Sequence, residues 1–218
     1  RIRSADRKLF LTKDILLLAI LARRAYRLSF ASYLLKPLVL NPDYSVRKEA
    51  SNALVSELAV VQVMLGGRKQ AQLLLDGIPN DSPESHFAWV TYHFSNHDYE
   101  KAIPYLKRSI DREPDEYKRK LAELNLCACY VYIGSLETAK ANLESLLSFF
   151  NDNNYELLAS NTLELLGQVF IQSNQWNDAW NVLAKAQRMM TGKNKLYSLF
   201  IEKWLLVCKI QNGEAKKE

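Results

Sequence analysis

Apolar residues recur at three- and four-residue spacing along nearly the whole chain, and no useful stretch alternates in the strand manner. The pattern predicts a succession of amphipathic helices. Thr12 is placed to cap a helix from Lys13 to about Arg27, and a second apolar stretch, Phe30–Leu40, carries Pro37, which predicts a kink or interruption. The stretch from Ser85 to Pro114 is the clearest unit. Two helical patterns of similar length meet at Asn96-His97-Asp98-Tyr99, and Pro114 closes the second because a proline cannot continue a helix. Ser82 is positioned as the cap of this unit, with Pro83 in its first turn. Asn151–Asn154 and Thr191-Gly192 are polar breaks further on, and Lys195–Gln211 predicts a last helix bearing Leu196, Leu199, Phe200, Trp204 and Val207. Residues 1–11 and 212–218 read as polar ends.

A helix pair of this size cannot bury both apolar stripes alone, so stacked neighbours are required, with small side chains where helices approach. Ala102 sits with Ile103 and Leu106, and the arrangement recurs as Ala139 with Leu143 and Ala179 with Leu183; the alanines are 37 and 40 residues apart. The bulky residues of the first copy are Trp89, His93 and Tyr99; the same grammar recurs as Leu126, Cys127 and Tyr130 before Gly134, and as Leu166, Gly167 and Phe170 before Asn174 and Trp176. These positions resemble the tetratricopeptide repeat, Trp-x2-Leu-Gly-x2-Tyr followed by Ala-x3-Phe and Pro. Residues 83–191 carry the resemblance best. The text from Asp43 opens like a HEAT-type repeat, with Val46-Arg47, Ala50 and Ala53-Leu54. It also aligns as a degenerate tetratricopeptide unit, with Gly66-Gly67 as the turn and Ala71 and Leu75 in the second helix, and this second alignment is preferred because Ala71 then precedes Ala102 in one series.

The resemblance implies an all-α, right-handed superhelical solenoid of helix-turn-helix repeats. Its expected divisions are a basic linker and helical cap over 1–42, units over about 43–80, 83–115, 116–153 and 154–192, and a capping helix with a polar tail over 193–218. It also implies that first helices line an inner face. The inward positions then fall at Phe87, Thr91 and Phe94; at Leu121, Leu124, Ala128 and Tyr132; and at Asn161, Glu164, Gln168 and Ile171. Of these, Phe87, Thr91, Phe94, Leu124, Ala128, Tyr132, Glu164 and Gln168 are the candidate contacts for a partner polypeptide, an amphipathic helix or extended peptide. The alternative is that Phe87 and Leu124 pack beneath neighbouring helices. Family members that clamp a peptide carboxylate use Lys, Asn and Arg; Phe87, Thr91, Asn125, Asn161 and Leu165 stand at those places, and only Asn125 has the side chain expected at its own place.

Composition narrows the function classes. Seven Gly and six Pro among 218 residues favour long helices. Net charge is +5, concentrated in residues 1–50, which hold eleven Lys or Arg against four Asp or Glu. That basic quarter reads as a solvated helix face, as a segment beside a membrane following a spanning helix before Arg1, or as a nucleic-acid contact, the last disfavoured by the lack of a recognition-helix motif. The longest apolar run, Ile15–Ala22, is too short to span a bilayer, which takes about 20 residues. Three cysteines without paired spacing point to a reducing compartment, hence a cytoplasmic location or the cytoplasmic face of a membrane.

His86, His93 and His97 cluster, with Asp98 beside them, yet His86 and His93 fill slots for large aromatic residues, and no metal site is expected. Gly66-Gly67 lacks the Lys-Ser/Thr of a phosphate loop, and no Ser/His/Asp set is brought together by the periodicity. Neither cofactor nor enzymatic activity is expected. The expected function is a protein–protein interaction scaffold or adaptor. Two rivals are a peptide-sensing domain of a transcription regulator and a secretion chaperone.

Overall fold

The computed structural model describes residues 11–40, 51–79 and 82–211. The expected N-terminal linker, the HEAT-like opening at Asp43–Ala50 and the polar tail at 212–218 lie outside the described residues. Within them there are eleven α-helices and no strand: α1 Thr12–Arg24, α2 Leu28–Val39, α3 Asn52–Met64, α4 Arg68–Leu75, α5 Pro83–Ser95, α6 Tyr99–Arg112, α7 Glu116–Tyr132, α8 Leu136–Asp152, α9 Glu156–Gln172, α10 Trp176–Met190 and α11 Lys195–Gln211. The chain divides into two compact units, Arg1–Ser109 and Ile110–Glu218, the division falling inside α6.

One turn builds both units. A residue with positive φ ends the leading helix, and the next N–H reaches back five residues to a helix carbonyl, satisfying one of the orphan acceptors there. The residues are Tyr26, Gly66 and His97 in the first unit and Gly134, Asn154 and Asn174 in the second, with φ between 54° and 83°. The returning bonds are Arg27 N–H to Ala22 O, Gly67 to Gln62, Asp98 to His93, Ser135 to Tyr130, Tyr155 to Phe150 and Gln175 to Phe170, all 2.8–2.9 Å. Five residues beyond each turn residue stands a buried alanine, Ala31, Ala71, Ala102, Ala139, Ala159 or Ala179. Four residues further stands a buried leucine, Leu35, Leu75, Leu106, Leu143, Leu163 or Leu183. The alanine lets the helix after the turn close on the helix before it, and the leucine fills the space one turn on.

This motif extends the repeat beyond its expected bounds. Residues 12–39 form a hairpin of the same design, so the region expected as a helical cap contributes a repeat-like pair. Its first helix ends at Arg24, three residues before the expected end, because Tyr26 turns the backbone. Pro37 does not interrupt α2, since it falls in the last turn, where few backbone bonds remain to lose. Asn52–Leu75 is a hairpin turned at Gly66-Gly67, with Ala71 and Leu75 fully buried in its second helix.

In the first unit, first helices pack in sequence, α1 on α3 and α3 on α5, while α2 and α4 stand behind them. In the second, α7 packs on α9 and α9 on α11, backed by α8 and α10. Ile15, Ala19, Leu34, Leu35, Leu54 and Leu58 form one core cluster, and Leu163, Ala179, Leu183, Met190, Ile201 and Leu205 another. The last helix buries Ile201, Leu205 and Cys208, whereas Leu196, Leu199 and Phe200, expected on its packed face, are exposed. The packed stripe is therefore rotated by about one residue from the expected one.

Candidate functional site

The exposed edge of α1, α3 and α5 carries a candidate site in the first unit. Residues at three- and four-residue spacing place Leu16 and Ile20 of α1, Ala53, Ser56, Glu57 and Val60 of α3, and Glu84, Phe87 and Ala88 of α5 around a cavity of about 230 Å³. Arg23, one turn beyond Ile20, reaches across to Glu57. Its Nε donates to Glu57 Oε1 at 2.6 Å and Nη2 to Oε2 at 3.3 Å. The pair is mostly buried and bidentate, the arrangement that gives a charged pair both strength and fixed geometry. The same guanidinium lies 5.5 Å from the centroid of Phe87 and braces a ring that stays 55% exposed.

At the mouth, Pro83 starts α5 at its first position, and the Ser82 hydroxyl donates to Glu84. That bond holds the Glu84 carboxyl below its ordinary range, so it is charged at neutral pH. The Ser56 hydroxyl is the opposite case: Ser56 is 4% exposed, lines the cavity, and its Oγ has no hydrogen-bond partner.

The remaining sequence-derived positions of the first unit are less free. Thr91 bonds back to the Phe87 carbonyl at 2.8 Å, and Phe94 packs edge-on against Tyr99 at 5.3 Å. His86 and His93 join Trp89 and Tyr105 in an aromatic cluster, with Trp89 stacked on Tyr105 at 5.6 Å and on His93 at 5.5 Å. Burial pushes the His93 imidazole below its usual range.

In the second unit the inward assignment needs correction. Leu124 is 1% exposed and Ala128 is buried, so neither presents a surface to a partner; they fill the core between α7 and its neighbours. Gln168 is buried and donates to Glu164 Oε1 at 3.1 Å. Glu164 also accepts from Trp204 Nε1 at 2.8 Å and from the Tyr197 hydroxyl at 3.5 Å. Glu164 is thus engaged in holding α11 against α9, and Gln168 is engaged with Glu164. Tyr132 stays 47% exposed at the end of α7.

Cys127 and Cys129 are buried and free, and burial pushes both thiols up to about 12, which makes them packing groups rather than nucleophiles. Among the described residues no group of three or more His, Cys, Asp and Glu stands close enough to hold a metal, and no helix is long and apolar enough to cross a membrane.

The sequence reading missed Arg23, Ser56, Glu57 and Glu84. The signal for the first lay in Ala31-x3-Leu35, a further copy of the repeat grammar, which would have made α1 a first helix with an inner face.

No protein-family model matches the sequence, and no curated protein does. Solved structures do match. YrrB, described as a TPR protein with an unusual peptide-binding site, superposes with a TM-score of 0.56 at 14% identity, over 87% of this chain and 90% of that one. A Podosopora anserina protein with nearly identical TPR-like repeats of kinesin-light-chain type gives 0.57 at 15% identity, over 84% and 96%. The fold is that of the tetratricopeptide repeat. The repeated turn, alanine and leucine show how this sequence reaches that fold at so low an identity.

Proposed function

We propose that the chain is a non-enzymatic interaction scaffold that binds a partner polypeptide along the first-helix face of its tetratricopeptide-like hairpins. The observation that carries this reading is Phe87: a ring half in solvent, braced by a buried ion pair, on the wall of an apolar cavity. An aromatic side chain fixed in place and left uncovered loses little entropy on binding and offers large contact area, as interface anchors do. Tyr132 offers a second anchor on the second unit. Thr91 and Phe94, on the same helix as Phe87, are lesser contacts, whereas Glu164 is taken up by its bonds to α11.

The three free, buried thiols support a reducing, cytoplasmic setting. A scaffold at the cytoplasmic face of a membrane remains part of the proposal through the basic N-terminal quarter, by the positive-inside argument.

Affinity capture with mass spectrometry tests the reading. Phe87→Ser and Tyr132→Ser together should abolish retention of the captured partner while the far-ultraviolet helical signal is unchanged. Retention by the double variant would place the interaction on another surface.

A further inference from the structure

We propose that the cavity between α1, α3 and α5 is a socket for an aliphatic cation, the side chain of a lysine on the bound polypeptide. This rests on the polypeptide-binding reading and specifies what one part of that face selects.

Three features of the cavity converge on that ligand. Its walls are Leu16, Ile20, Val60 and Ala88 with the Phe87 ring, which suit a methylene stem of several carbons. Among the described residues its charged groups are Glu57 and Glu84, with Arg23 bonded to Glu57. Arg23 balances Glu57, and Glu84 at the rim is left in excess. A ligand of one positive charge therefore restores neutrality, whereas an anion meets a like charge. The Ser56 hydroxyl is the third feature. Ser56 lies in the wall of the same cavity, and its Oγ is buried with no hydrogen-bond partner, so a donor that enters the cavity and draws this hydroxyl toward it relieves a polar group that otherwise stands unsatisfied. An ammonium group supplies such a donor; a wholly apolar side chain does not. A volume of about 230 Å³ accommodates an unbranched butyl-ammonium stem and leaves no room for a folded segment.

Small probes test the socket without the natural partner. Pentylamine, 1-pentanol and pentanoate are titrated into the intact protein at neutral pH and low salt, and the methyl resonances of Leu16, Ile20 and Val60 are followed. Pentylamine should bind tighter than 1-pentanol by about fivefold, the scale of a partly exposed charge pair. Pentanoate should bind weakest of the three. Glu84→Gln should reduce pentylamine affinity toward that of 1-pentanol and leave 1-pentanol unchanged. Glu84 is exposed, so the variant folds; Ser56→Ala should likewise weaken pentylamine. Equal binding of pentylamine and 1-pentanol, or preference for pentanoate, overturns the cation assignment. The absence of any methyl shift with all three overturns the cavity as a binding site. Neither result touches the partner-capture experiment with Phe87→Ser and Tyr132→Ser, so failure of the socket and failure of the scaffold reading are read separately.

Discussion

Gly167 is the residue at which the tightest packing can be read atom by atom. A Cβ built on it would lie 2.5 Å from Leu183 Cγ and 2.6 Å from Leu183 Cδ2. Leu183 is itself fully buried and belongs to the core cluster with Ala179 and Met190, so it cannot swing away without displacing other side chains. Gly167 lies inside α9, where glycine costs backbone entropy relative to alanine, roughly 0.5–1 kcal/mol. In an open helix, Gly→Ala is stabilising. Here the overlap outweighs that gain, and Gly167→Ala should lower stability by about 1–3 kcal/mol, the usual cost of overpacking. Chemical denaturation of the variant checks the sign; an unchanged or raised midpoint would mean that α9 and α10 approach less closely than the backbone indicates. Gly167 was legible in the sequence as a repeat slot, because its neighbours Leu166 and Phe170 identified the position. The Arg23–Glu57 pair was not, since the two residues are thirty-four apart and only hairpin stacking brings them together.

Helix α11 shows what the hydrophobic pattern specifies for an element and what it leaves open. The helix was expected over Lys195–Gln211 and forms there, because apolar residues at helical spacing run its whole length. Its packed face was misread because apolar residues occupy both sides, so periodicity alone could not choose between them. The choice is made by polar groups on α9: Glu164 accepts from Trp204 and Tyr197, and this rotation buries Ile201 and Leu205. Burial raises the Glu164 carboxyl above its ordinary range. The folded chain therefore holds this proton more tightly than the unfolded chain does. The associated stability is present below the ordinary carboxylate range and is lost as pH rises through the raised value. Glu164→Gln keeps an acceptor for the Trp204 indole and removes the buried charge. Thermal unfolding from about pH 5 to 8 should show a flatter dependence for this variant, and a higher midpoint at neutral pH, than for the parent. A parent and variant with parallel pH profiles would show that the carboxylate is well solvated.

At the scale of the chain, the fold is a recurrence rather than a single core. Six turns share one backbone bond, one buried alanine and one buried leucine, and each core cluster is built from helices close in sequence. Four of the six alanines, Ala71, Ala102, Ala139 and Ala179, were legible in the sequence as a series. Ala31 and Ala159 were not. Ala31 follows Tyr26, a residue rarely tolerated at positive φ and so giving no turn signal, and Ala159 follows a turn between hairpins rather than within one. In such an architecture stability is approximately a sum of unit terms and nearest-neighbour terms, so damage should stay near its origin. Ala31→Leu overpacks α2 and Ala139→Leu overpacks α8; each should cost about 1–3 kcal/mol locally. Amide hydrogen exchange should then separate them. Ala31→Leu should lower protection in α1–α4 and spare α9–α11, and Ala139→Leu should lower it in α7–α10 and spare α1–α3. Uniform loss of protection along the chain in both variants would show that the two compact units unfold as one cooperative body, and the additive description would fail.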